Sequence, residues 1–211
     1  MQVNTDLMAE LGLSVTEAAR RAQILGATIG VLADLGYRRT TFAKIKERAG
    51  LSSTRLISYH FTNKAGLMQS VLSTVLETRQ QFLTERTGGG LDPADRPGYL
   101  RAHIETSIAF LRAYPECVRA LKELAANAGD ADSWVMTKVV VDDLRVHGLA
   151  RQLKQGQAEG AFGRGFTPEV MAMSIAQAID GVAAAYAADP SLDLEQYGRE
   201  VAETFVKATA P

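Results

Sequence analysis

Cysteine is almost absent: the 211 residues hold one, Cys117. A single thiol excludes an intramolecular disulfide and a thiolate metal cluster, and it fits a reducing compartment. On its apolar helix face Cys117 reads as a core residue, with a redox-sensing thiol as the alternative. Histidine is scarce too, and His60, His103 and His147 lie far apart with no metal-ligand spacing. Neither a Gly-x-Ser-x-Gly nucleophile elbow nor a phosphate-binding glycine loop is present. These gaps argue against an enzyme, a metal and a cofactor. No apolar run approaches the roughly 20 residues of a bilayer span, and residues 1–12 lack the basic and apolar regions of a signal peptide. A cytoplasmic protein with no membrane partner is the expectation.

Period-two alternation is missing apart from Val139-Val140-Val141, which sits inside a helical stretch. The fold class expected is therefore all-α, with about nine helices. The net charge of −1 conceals a strong asymmetry. From Ser14 to Met68 nine basic residues (Arg20, Arg21, Arg38, Arg39, Lys44, Lys46, Arg48, Arg55, Lys64) face three acidic ones (Glu17, Asp34, Glu47), whereas the flanking segments are net acidic. Such a distribution suits a nucleic-acid-facing module joined to a neutral or acidic one.

The spacing predicts a first helix opening at Ser14, with Glu17 completing a capping box and Ala18, Ala22, Leu25, Ile29 and Leu32 on its buried face. Gly36 ends it with a left-handed cap. A second helix starting at Thr40 or Thr41 buries Phe42, Ile45 and Ala49 before Gly50 turns the chain. A third begins at Ser52 or Ser53 and runs to His60, and Thr62-Asn63 caps a fourth starting near Lys64. On that fourth helix Leu67, Val71, Val75 and Phe82 form one stripe and Met68, Leu72, Leu76 and Leu83 a second, so it is expected to connect two modules. Residues 87–98, rich in glycine and proline, read as a mobile loop.

A fifth helix is predicted from about Tyr99 to Tyr114, with Arg101, Glu105 and Arg112 on its outer side. Pro115 opens a sixth. The seventh spans Asp132 to Glu159, bent near Gly148; the eighth runs from Thr167-Pro168 to Asp189-Pro190, and the ninth from Leu194 to Ala208. The domain organisation expected is an arm over 1–13, a DNA-binding unit over 14–63 and a ligand-binding and dimerisation unit over 64–211.

Two short helices joined by a tight turn, with a third helix packed across them and excess positive charge, make a helix-turn-helix. Such a unit lays a helix into a major groove about 12 Å wide. The runs Gly36-Tyr37-Arg38-Arg39-Thr40-Thr41-Phe42, then Ile45, Ala49-Gly50-Leu51-Ser52, and Tyr59-His60-Phe61-Thr62-Asn63-Lys64 with Leu67 resemble the N-terminal signature of TetR-family transcriptional regulators. That resemblance implies a repressor released from a palindromic operator by a small, mainly apolar effector.

It also implies residue roles. Thr40 and Thr41 would cap the second helix and bind phosphate, and Lys44 would face the DNA backbone. Ser52, Ser53, Thr54, Arg55 and Ser58 would lie on or beside the leading end of the recognition helix, with Tyr59, His60 and Lys64 gripping phosphates beyond it. Arg55 is the candidate for base readout, because its fork matches guanine O6 and N7; a phosphate contact is its other reading. His60 has a second reading as a structural histidine, and Phe61 is expected in the core. The interval from Gly50 to His60 is one residue longer than the family pattern, which is expected to enlarge the turn around Leu51-Ser52.

For the second module, Phe82, His103, Ser107, Phe110, Tyr114, Cys117, Trp134 and Phe162 are the candidates for an effector pocket, each with a core role as its alternative. His103 stands out as a polar group on an inward arc that needs a partner. The eighth helix carries Met171, Ile175, Ala178 and Val182 and many small residues, and the ninth carries Leu194, Tyr197, Val201 and Phe205. Together they suggest a homodimer interface built from these two helices.

Overall fold

The apolar periods close into nine helices, and no strand occurs, over the residues that a computed structural model describes: 15–88, 92, 94–127 and 146–211. Contacts divide the chain into two compact units, residues 1–75 with 116–134 and residues 76–115 with 135–211. The division falls inside the fourth helix.

In the first unit, α1 (Val15–Leu35), α2 (Phe42–Ala49) and α3 (Arg55–His60) precede α4 (Lys64–Arg86), and α6 (Pro115–Ala126) joins them from later in the chain. α1 is buried more broadly than its predicted stripe. Ile24, Thr28 and Val31 are enclosed along with Leu25, Ile29 and Leu32, whereas Ala22 faces solvent. Ile45 and Ala49 anchor α2, Ile57 and Phe61 anchor α3, and Leu67, Met68, Val71, Leu72 and Val75 anchor α4. Fully burying each large aliphatic chain contributes roughly 1.5–3 kcal/mol. The six residues of α3 are too few to hold helical form alone, so Ile57 and Phe61 keep it folded.

The caps follow the residue types. Thr41 accepts from Lys44 N, and Gly50 closes α2 at φ 63°, a left-handed conformation that glycine adopts without penalty. α3 starts later than expected, at Arg55 rather than Ser52 or Ser53, because the stretch between Gly50 and Thr54 forms the turn. Within that turn the Ser53 hydroxyl accepts from Arg55 N, while Thr54 makes no side-chain cap. Asn63 Oδ1 accepts from Gly66 N at the start of α4.

In the second unit, α5 (Arg96–Ala113) packs against α9 (Leu194–Thr209), and α7 (Gly148–Glu159) and α8 (Pro168–Ala188) complete the described elements. α5 begins at Arg96, three residues earlier than predicted, since Asp95 caps it through Gly98 N and Pro97 occupies its first turn. The expected loop over 87–98 is shortened accordingly; its residues 89–91 and 93 lie outside the described ones. The same holds for the 132–145 portion of the predicted seventh helix.

α9 covers the side of α5 that the charges had marked as outward. Arg101 pairs with Glu203 at 2.6 Å, and Arg112 donates to the Leu192 carbonyl. Gly198 lies at this contact: a Cβ there would stand 3.6 Å from Glu105 Cα, in ordinary contact, so a larger side chain would press on α5. Leu194, Gly198, Ala202 and Thr209 are the buried residues of α9, while Tyr197 is 40% exposed. By length and composition α8 is apolar enough to cross a membrane, and only 22% of its most apolar window is buried. Its outer face carries Val170, Met173, Gln177, Gly181 and Ala184.

Candidate nucleic-acid interface

α3 has two unlike sides. Ile57 and Phe61 point into the core, whereas Ser52 in the turn and Arg55, Ser58 and Tyr59 on the helix are exposed at intervals of about one turn. The Arg55 guanidinium has no ion-pair or hydrogen-bond partner among the described residues. Tyr59 is 73% exposed and donates its hydroxyl to Glu17 Oε1 at 3.2 Å. Its ring meets His60 edge-on, with centroids 5.1 Å apart.

The remaining predicted contacts divide. Thr41 and Lys44 are exposed at the start of α2, and Lys44 pairs with Glu47 at 3.1 Å in solvent. Ser53 and Thr54 are half-buried in the turn before α3. Thr40 is 1% exposed and donates its hydroxyl to the Gly36 carbonyl; Thr41 alone caps α2. Lys64 donates to the Tyr37 carbonyl at 3.0 Å and sits 4.2 Å from the Tyr37 ring centroid, where burial lowers its pKa. His60 offers its carbonyl to Arg21.

Several cations in the basic run therefore serve the fold. Arg21 reaches the His60 carbonyl and Ser70 Oγ and lies 4.3 Å over the Phe61 ring. Arg48 spans Asp34 at 2.6 Å and Glu116 at 2.8 Å, and it fills the space that a Cβ at Gly30 would occupy. The Arg48 hydrogen bond holds the Asp34 carboxyl below its usual range. Arg38 and Arg55 are left as exposed cations with no partner among the described residues, and Lys46 joins them half-buried. Arg38 and Lys46 were not among the sequence candidates; the charge run contained them but did not mark them out.

The second unit assembles most of the other nominees. Phe82, Phe110 and Tyr114 form one aromatic cluster, with centroids 5.0 to 5.7 Å apart. Beside it Ser107 accepts from Arg79 at 3.0 Å and donates to the His103 carbonyl. His103 is half-buried, and the desolvation of its ring, aided by the Arg79 charge, pushes the imidazole down to about 3. Phe162 lies elsewhere, at the end of α7, where its ring occupies the space over Gly156. Cys117 is buried in the first unit, its thiol pushed up by that burial, and Trp134 lies outside the described residues. Arg79 was missed. The signal was present, since Thr78 and Arg79 interrupt both apolar stripes of α4 where either would otherwise continue.

With these positions in place, comparison with known proteins assigns the N-terminal part. Residues 24–71 match the model of the bacterial regulatory proteins of the tetR family. The HTH-type transcriptional regulator BetI of Stenotrophomonas maltophilia is 32% identical over 90 residues, which are 42% of this chain and 44% of that protein. The match thus spans less than half the length of this curated relative. Among solved structures, a Rhodococcus sp. protein described as a TetR-family transcriptional regulator superposes with TM-score 0.73 at 22% identity, covering 90% of this chain and 98% of its own. NalD of Pseudomonas aeruginosa, described as the secondary repressor of the MexAB-OprM multidrug efflux pump, gives 0.68 at 20% identity over 92% and 98%. Residues 24–71 are therefore similar to the N-terminal segment of the tetR family of bacterial regulatory proteins, and over nine-tenths of its length the chain shares the fold of these solved structures.

Proposed function

We propose that the chain is a homodimeric DNA-binding transcriptional repressor, acting in the cytoplasm, which leaves a palindromic operator when a small, mainly apolar effector binds. Residues 14–63 read the DNA, and residues 64–211 bind effector and dimerise. The observation that carries this reading is the exposed side of α3, where Arg55 projects unpaired beside Ser58 and Tyr59 while Ile57 and Phe61 fix the helix from behind. Arg55 reads a base edge, with Ser52 and Ser58 beside it. Thr41, Lys44, Ser53, Thr54, Tyr59 and His60 line the backbone, joined by Arg38 and Lys46. Thr40 and Lys64 act by shaping this surface.

Phe82, Phe110 and Tyr114 offer the effector an apolar contact. The exposed small and apolar residues of α8, from Val170 to Ala184, suit a second copy of the chain. Two such copies present their recognition helices to half-sites about 34 Å apart or a multiple of that. NalD's description as a repressor supports the sign of regulation.

Fluorescence anisotropy on labelled genomic duplexes tests the proposal. Sequence-selective binding that weakens steeply with salt is expected, and Arg55→Ala should cost about 1–3 kcal/mol of discrimination at one operator position. Failure of the intact dimer to bind any duplex at low ionic strength overturns it.

A further inference from the structure

Arg79 is the unusual charge of the second unit. Its guanidinium is largely enclosed, and its hydrogen-bond partner is the neutral Ser107 Oγ at 3.0 Å; no carboxylate among the described residues lies within ion-pair distance. His103 and Ser107 stand one turn apart on α5, and both bear on this site: Ser107 accepts from Arg79, and the Arg79 charge acts on the His103 ring. His103 makes no side-chain hydrogen bond among the described residues. One turn along both helices the surroundings become apolar: Phe82 follows Arg79, Phe110 follows Ser107, and Tyr114 completes the aromatic cluster. Arg79, Ser107 and Phe82 each keep part of their surface open.

An enclosed cation without a countercharge is costly unless something supplies one, and a guanidinium fork matches a carboxylate in shape as well as charge. We propose that this seam binds a carboxylate-bearing amphiphile, with Arg79 holding the carboxylate, His103 and Ser107 flanking it, and Phe82, Phe110 and Tyr114 receiving the apolar body. The assignment rests on the effector reading above and adds to it the charge of the head group. A mainly apolar ligand is thereby selected by one ion pair at its end, and neutral or cationic molecules of the same shape are rejected for leaving Arg79 unpaired.

The test is calorimetry on the intact protein without DNA, using two pairs of probes that differ only at the head group: decanoate against 1-decanol, and 4-phenylbutyrate against 4-phenyl-1-butanol. In at least one pair the carboxylate should bind about tenfold tighter or more. Arg79→Gln should abolish that preference while leaving alcohol binding unchanged, and Arg79→Lys should retain part of it. If a melting curve shows Arg79→Gln unfolded, the wild-type pairs and Arg79→Lys decide the matter. Equal or tighter binding of both alcohols, a carboxylate preference that survives Arg79→Gln, or binding of neither carboxylate overturns the assignment. Because DNA is absent, these results are separate from operator binding, whose failure would count against the regulator reading alone.

Discussion

Arg48 and Arg55 stand seven residues apart in one basic run yet have opposite uses. Arg48 is drawn into the space left by Gly30 and bridges Asp34 and Glu116, whereas Arg55 projects from α3 with no partner among the described residues. Composition treats them alike; only their neighbours distinguish them. The Thr41 hydroxyl, bonded to Lys44 N, satisfies one of the open N–H groups of α2. Thr41→Ala is expected to cost about 1 kcal/mol, measured by urea unfolding. His103 gives the protein an acid sensitivity. Its folded-state pKa of about 3 lies below the ordinary 6.5, so on acidification the unfolded chain takes up this proton first. The contribution is complete above about pH 6.5 and declines as the pH falls from there toward 3. Urea midpoints at about pH 7.5 and about pH 5 should therefore differ less in His103→Gln than in the wild type; an unchanged difference would show that the ring titrates normally.

Among the elements, α4 was the most legible in its burial, because Leu67, Val71 and Val75 of one stripe and Met68 and Leu72 of the other are buried; the two compact units divide between Val75 and Leu76, whereas the sequence boundary was drawn at 63/64. Caps at Thr41, Gly50 and Asn63 were legible for the same reason: they act within a few residues of themselves. The start of α3 was not, since it was placed at Ser52 or Ser53 and several local hydrogen-bond patterns suit that sequence; in the fold Ser53 Oγ accepts from Arg55 N and the helix begins at Arg55. α9 was misjudged in part. Its stripe of Leu194, Tyr197, Val201 and Phe205 has the correct period, but the buried face is rotated toward Gly198 and Ala202, where small residues face α5. Gly198→Leu should overpack this contact and destabilise the protein by roughly 1–3 kcal/mol, seen as a lowered melting temperature. A neutral effect would mean that the two helices do not approach closely.

At the scale of the whole molecule the decisive surface is α8. Val170 and Met173 are 54% and 51% exposed, and small residues continue the face toward the end of the helix. Large apolar groups left in water on one helix face mark a contact, and a second copy of the chain would bury them. Met173→Glu is expected to shift sedimentation from dimer to monomer and to weaken binding to a two-half-site operator far more than to a single half-site. A variant that stays dimeric would place the interface elsewhere.

By itself the sequence determined the helical class, the caps at Thr41 and Gly50 and the basic module, because each depends on spacing along one segment. Only the tertiary structure decided which cations of that module are consumed by the fold, that Lys64 turns to Tyr37 and Thr40 to Gly36, and that Arg79 meets Ser107 beside three aromatic rings. The reason is the range of the forces. Periodicity records which residues share a helix face, but a guanidinium's partner is set by the packing register of helices distant in sequence, which no local spacing encodes.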